Sequence, residues 1–338
     1  GLHLAGAASH GWLGMTGAVL CALLLLAMLL ALAAGDQPVP PVDVLRALAG
    51  AEVSQVSETI VMTLRLPRVA LAAAVGAALA VAGTATQAVL RNPLAEPGLL
   101  GINAGAALAA MIVIVEVASL PESVLPAVSF AGALITALAI QMFAWRAGTS
   151  SLRLILVGVG VGALAGAGAS FIAAFGPAAE VQRAITWSAG SLQDARWVKL
   201  EWLVLWGLPG ALALWLAARE LDLIALGDRV AGGVGQRVQL VRGLVIVAVA
   251  LLAGAAVAAS GPIAFVGLAA PHVARALTGR NHARLIPVAA VCGAILLVVA
   301  DLAARRLLAP VQVPVGLATA LIGAPFFGYL LWSRRNEL

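Results

Sequence analysis

Arg65-Leu-Pro-Arg68, then the apolar run Val69-Ala-Leu-Ala-Ala-Ala-Val-Gly-Ala-Ala-Leu-Ala-Val-Ala-Gly83-Thr-Ala-Thr-Gln87-Ala-Val-Leu90, then Arg91-Asn-Pro-Leu-Ala-Glu96-Pro97, decide the fold class. The apolar stretch is long enough to cross a bilayer as one helix, which takes about 20 residues. It is bounded at both ends by arginine and proline. A compact polar string with fixed prolines, set in an apolar chain, is the first place to look for function.

Outward from this segment the chain is equally apolar. It has 338 residues, 62% hydrophobic and 10% charged, with mean hydropathy +1.05. These values exclude an ordinary water-soluble domain and define a polytopic membrane protein. The formal charge is +5 and every basic residue except Lys199 is arginine. No basic stripe with interleaved aromatics accompanies that charge, so the arginines read as topology determinants and polar docking points, not as a nucleic-acid surface. Cys21 and Cys292 lie in apolar runs, where thiols behave as small hydrophobes. The run Ala18 to Ala34 has no basic stretch before it and reads as a retained span, not a signal peptide.

Runs of spanning length lie near residues 12–34, 69–90, 98–117, 124–145, 154–175, 202–218, 240–259, 263–277, 285–303 and 315–332. The eighth is short and contains Pro271, which predicts a broken or tilted helix. The arginines favour both termini inside, with Arg91, Arg146, Arg153, Arg219, Arg229, Arg237, Arg242, Arg275, Arg280, Arg284, Arg334 and Arg335 on the inner side. Arg46, Arg65, Arg68, Arg183, Arg196, Lys199, Arg305 and Arg306 then lie outside and need a reason. Between Gly35 and Pro67 an outer segment includes a helix-like run, Val53 to Leu64. Between Ala218 and Gln239 a charged inner connection is long enough for two short helices. A weak echo, Gly83 with Pro93 and Gly261 with Pro271, hints at repeated halves.

The polar residues divide into three groups. Arg65, Arg68, Arg305 and Arg306 either snorkel, with Asp301 paired to Arg305 one turn away, or present guanidinium groups to an acidic partner. Leu221 to Gly235 mixes aliphatics with charges, as expected of short amphipathic helices that fill a groove on another protein. Glycines such as Gly158, Gly160, Gly162, Gly166 and Gly168 either bring helices close together or line a wide passage. His272 and Asp301 are intramembrane ionisable residues, better read as stabilising helix ends than as a proton relay. His3, His10 and His282 lack metal-ligand spacing. No nucleophile motif, carboxylate dyad or phosphate-binding loop occurs, so no ATP hydrolysis or other catalysis is expected of this chain.

These motifs together resemble one family. Arg65-Leu-Pro-Arg68, Gly83 with Gln87, Arg91-Asn-Pro-Leu94 with Pro97 and Gly101, Gly261-Pro-Ile-Ala-Phe-Val-Gly-Leu268 with Pro271-His272 and Arg275, Ala300-Asp301 with Arg305, and Pro314-Val-Gly316 with Thr319, Gly323, Pro325 and Phe326 are similar to the FecCD-type permeases. These are membrane subunits of type II ABC importers for ferric siderophores, haem and cobalamin.

The resemblance implies an all-α, ten-helix permease fold over residues 1–338, in the bacterial inner membrane. It implies a second permease subunit, a homodimer being favoured, two cytoplasmic ATPase subunits that hold ATP and Mg, and a periplasmic substrate-binding protein. Arg65, Arg68 and Arg305 would then accept acidic side chains of the binding protein. Leu226, Gly227, Asp228, Arg229, Ala231 and Gly235 would engage the ATPase groove, and Gly160, Leu164, Ala167, Ser170 and Phe171 would line the pathway. No metal or cofactor is expected in this chain. The uncharged pathway helix leans the cargo toward haem, with ferric siderophore or cobalamin as alternatives. A proton- or sodium-coupled transporter is the competing class, and it predicts more buried acids than Asp301 and Glu116.

Overall fold

The computed structural model describes residues 2–35, 37–117, 120–145, 149–307 and 312–333. Arg146, Arg334 and Arg335, and the side chains of His3 and His10, lie outside what it describes. In chain order the helices are α1 (Leu2–Ala33), α2 (Pro41–Leu48), α3 (Gln55–Glu58), α4 (Leu66–Leu90), α5 (Ile102–Met111), α6 (Leu125–Ala144), α7 (Ser151–Phe175), α8 (Ala178–Ser188), α9 (Trp197–Leu216), α10 (Ala218–Leu226), α11 (Asp228–Gly233), α12 (Val238–Ser260), α13 (Val266–Thr278), α14 (His282–Arg306) and α15 (Val315–Ser333). Each of the ten apolar runs falls on a helix. Among the described residues, seven helical segments are long and apolar enough to cross a bilayer, and Ile102–Glu116 and Val315–Gly328 are shorter apolar helices.

The second span is longer than its apolar run. A π-helical stretch, Thr59–Arg65, joins α3 to α4 without a break, and the continuous helix Gln55–Leu90 has 36 residues. At 1.5 Å per residue that is about 54 Å, well beyond a hydrocarbon core of about 30 Å. The helix is therefore longer than one hydrocarbon crossing requires. The wide turn has a local cause: Pro67 has no N–H and its ring collides with the carbonyl four residues back. The Leu66 N–H reaches back to Val61 O, a five-residue step that carries the helix past the proline.

α4 is the hub, with nearly all of its residues from Pro67 to Leu90 buried, against α14, α12, α13 and α9. Small side chains permit this. A Cβ on Gly76 would overlap the Gly293 carbonyl of α14, and one on Gly83 would overlap the Gly267 carbonyl of α13. In lipid there is no hydrophobic drive between helices, so such close backbone approach supplies the packing energy. The proposed echo does not survive as structural equivalence: Gly83 lies inside α4, whereas Gly261 ends α12.

The third and eighth spans are short because irregular backbone precedes them. α13 has 13 residues, about 20 Å, and follows the non-helical stretch 261–265. Irregular backbone at membrane depth is tolerated only where protein satisfies its polar groups. Here Glu96 Oε2 accepts from the Phe265 N–H at 3.2 Å, and the Ser191 N–H donates to Ser260 O at 2.8 Å. The Gly316 N–H likewise donates to Gly190 O at 3.0 Å.

Candidate functional site

The inner connection folds as the pair of short helices its length allows. Gly227 links α10 to α11 with φ 113° and ψ 151°, a conformation that L side chains rarely adopt. Two polar clamps fix this hairpin to the transmembrane body. Asp228 Oδ1 accepts from Arg242 Nη2 at 2.7 Å, and the Arg242 side chain is fully buried and also donates to Thr149 O. Thr149 N–H and Oγ1 in turn donate to Gln239 Oε1 at 2.8 and 2.9 Å. At the other end Asp222 Oδ1 accepts from the His282 backbone N–H at 3.0 Å and lies 2.6 Å from its Nδ1. Within the hairpin Gln236, just past the end of α11, donates through Nε2 to the Glu220 backbone and carboxylate.

The opposite face of the hairpin is apolar and open. Leu226, Val230 and Val234 are 66%, 49% and 64% exposed, and Arg229 and Gly235 are exposed beside them. Ala231 faces inward and is fully buried. The arrangement is a rigidly tethered plate with a sticky outer surface. It can pass a push or pull into α12, α14 and the segment leading into α7.

The five predicted pathway residues, Gly160, Leu164, Ala167, Ser170 and Phe171, all lie on the exposed side of α7. A Cβ added at Gly160 or Gly166 would meet nothing within 4 Å. Not every glycine of this helix serves the same end. Gly158 packs on the Leu99 carbonyl and Gly168 on Leu108, so those two bring α7 against α5 and the turn that precedes it. Past Arg153 this helix carries no charge.

The outer arginines require a correction. The expectation of guanidinium groups free for an acidic partner does not hold for Arg65, Arg68 or Arg305, which are 8%, 9% and 6% exposed. Arg68 grips Asp301 with Nε at 3.0 and 3.1 Å and Nη2 at 2.9 Å, and reaches Gln312 Oε1 at 3.1 Å. Arg305 Nε lies 3.1 Å from Asp301 Oδ2, one turn away as its spacing allows. Arg65 donates to the carbonyls of Leu32, Ala33 and Gln37, and Arg305 to that of Ala31. Those carbonyls include the unpaired C-terminal groups of α1, where cations also complement the helix dipole. Three cations thus share one carboxylate and one helix end.

Exposed outer charge lies elsewhere. Arg183 pairs with Glu122 and Glu180, and Arg196 and Lys199 pair with Asp194, around a cleft of about 530 Å³ between α8 and the start of α9. Arg306 is exposed next to its buried neighbour Arg305. Sequence reasoning missed α8, the Arg242 clamp and the Glu96 contact to Phe265. Of these only Arg242 left a sequence signal: an arginine one turn inside an apolar span, downstream of Asp228.

An all-helical membrane body with a clamped inner hairpin is the fold of a type II ABC importer permease. A metal-chelate type ABC transporter, solved in an inward-facing conformation, matches with a TM-score of 0.83 at 29% identity, covering 93% of this chain and 97% of that one. The chain belongs to the FecCD transport family, whose model matches residues 23–333. The achromobactin transport system permease protein CbrC of Dickeya dadantii is 42% identical over 319 residues, covering 94% of this chain and 91% of that one. The hemin transport system permease protein HmuU of Yersinia pestis is 41% identical over 281 residues, covering 82% and 84%. The cobalamin import system permease protein BtuC of Halobacterium salinarum is 39% identical over 283 residues, covering 83% and 76%.

Proposed function

We propose that this chain is the inner-membrane permease subunit of an ATP-driven importer that carries an iron chelate inward by alternating access. The observation that carries it is the hairpin: an exposed aliphatic face on a plate clamped to α12 and α14 suits an ATPase groove and the transmission of its movement. ATP binding by two partner ATPase subunits would close them together and pull on Leu226 to Gly235. The clamp from Asp228 to Arg242 would pass the tilt into α12. Two copies of the chain, with their α7 faces toward one axis, would enclose a pathway lined by Gly160, Leu164, Ala167, Ser170 and Phe171. A substrate-binding protein would deliver the chelate from outside, meeting the exposed Arg46, Arg183, Arg196 and Arg306 in preference to the buried arginines.

Relatives named for siderophore, ferric citrate, hydroxamate, hemin and cobalamin transport all resemble this chain, so the resemblance does not single out haem. A ferric siderophore is the cargo we favour, because a permease named for siderophore transport and permeases named for Fe(3+)-citrate and iron(3+)-hydroxamate import are among these relatives. The test is uptake of ferric siderophore, haem and cobalamin in parallel by the reconstituted complex. Preferential uptake of haem or cobalamin would overturn the siderophore assignment, and absence of ATP-dependent uptake of any of them would overturn the importer.

A further inference from the structure

A cavity of about 520 Å³ opens at the inner face, between the ends of α4 and α13 and the start of α14. Its walls include Gln87, Arg91, Asn92, His272, Arg275 and Arg280, and no carboxylate is among its described lining residues. The arginines are not equivalent. Arg275 Nη2 donates to Gln87 Oε1 at 2.7 Å, whereas Arg91 and Arg280 are exposed and make no side-chain hydrogen bond or ion pair among the described residues. Arg91 has φ 48°, unusual for a residue with a Cβ. The turn that holds it is locked by the Asn92 N–H on Gln87 O and by Asn92 Oδ1 on the Leu94 N–H.

A bland account is that these arginines offset helix ends. α4 and α13 both finish here, each with about half a negative charge, and α14 begins here with about half a positive one. Asp222 adds a full negative charge behind His282. Arg275 is engaged by Gln87 and stays out of the balance; set against Arg91 and Arg280, these charges leave a surplus of about half a positive charge. Helix ends therefore do not account for the cluster. Planar guanidinium forks match the tetrahedral oxygens of phosphate in paired hydrogen bonds. The position, at the inner ends of three membrane helices, is also where phosphate groups of the inner leaflet lie.

We infer that this cavity binds a phosphate group, from either an anionic lipid headgroup or a free phosphate in the cytoplasm. Arg91 connects it to the hairpin, because Arg91 Nη1 lies 3.4 Å from where a Cβ on Gly227 would sit. An occupant would brace the end of α4 against the α10 to α11 joint. This inference does not depend on which chelate is carried.

The test uses the full chain, with the subunits that co-purify with it. Inorganic phosphate is titrated calorimetrically at constant ionic strength, and bound lipid is counted by native mass spectrometry from nanodiscs of phosphatidylglycerol and phosphatidylcholine. Arg91→Gln and Arg280→Gln are compared singly and together, with Arg280→Lys as the charge-retaining variant and Arg46→Gln as a control on the outer face. Saturable phosphate binding that weakens about tenfold or more in Arg280→Gln, and recovers in part in Arg280→Lys, identifies a free phosphate. Phosphatidylglycerol retained by the parent and by Arg46→Gln but lost from the double variant identifies the headgroup. Binding of both probes that is absent, or equal in parent and double variant, overturns the site.

Discussion

Replacing Asp301 with Asn tests whether the outer arginines are structural. The Asp301 side chain is 2% exposed and faces Arg68 at 2.9–3.1 Å and Arg305 at 3.1 Å. Those partners are nearly dry as well, with side chains 11% and 7% exposed, so solvent screens little of the loss. Removing one partner from a buried ion pair costs about 3–5 kcal/mol, because the remaining charge stays buried. Asn keeps one acceptor oxygen, which places the expected cost near the lower end of that range. Replacing Arg305 with Leu in the same chain removes one of the two opposed cations and should recover part of the loss, with a coupling of about 1 kcal/mol or more. The assay is thermal and denaturant unfolding of the purified protein in detergent, read as a double-mutant cycle. Unchanged stability in Asp301→Asn, together with weakened capture of the binding protein, would refute the structural assignment and restore the docking one.

Other substitutions address the remaining parts of the account. Gly76→Leu drives a side chain into the Gly293 carbonyl, and overpacking of this kind costs about 1–3 kcal/mol or more; a drop in melting temperature is expected, while Gly160→Leu, with open space around it, should melt as the parent does. Arg242→Met strands Asp228 and removes the bond from Arg242 to Thr149 O, so ATP hydrolysis should continue while uptake falls about tenfold or more; uptake and hydrolysis falling together would count against a coupling role. Replacing Leu226 and Val230 with Asp should abolish co-purification of the ATPase, since central apolar contacts dominate such interfaces, and should leave the melting temperature of the isolated chain within about 1 °C, as surface changes do.

The sequence made the helices legible and left their partners hidden. Each apolar run became a helix because in lipid a backbone can satisfy its hydrogen bonds only within the segment. The two short inner helices were legible for a different reason, the mixture of aliphatics and charge around Gly227. Burial of Arg68 was not, because its partner Asp301 is 233 positions away, and one sequence does not say which helices touch. The pair one turn apart, Asp301 with Arg305, was readable from spacing alone. α8 escaped because it is short and amphipathic, below the length that marks a span. The contact of Glu96 with Phe265 escaped because irregular backbone carries no periodic pattern.

The central claim is that movement of an ATPase reaches the membrane through the Leu226 to Gly235 hairpin. The most direct measurement is uptake of a labelled ferric siderophore into proteoliposomes holding the chain, its ATPase and its binding protein, with proton and sodium gradients collapsed. The account predicts accumulation that requires ATP and disappears when Leu226 and Val230 are replaced by Asp. Accumulation that persists without ATP, or that is unchanged when Leu226 and Val230 are replaced by Asp, would contradict it.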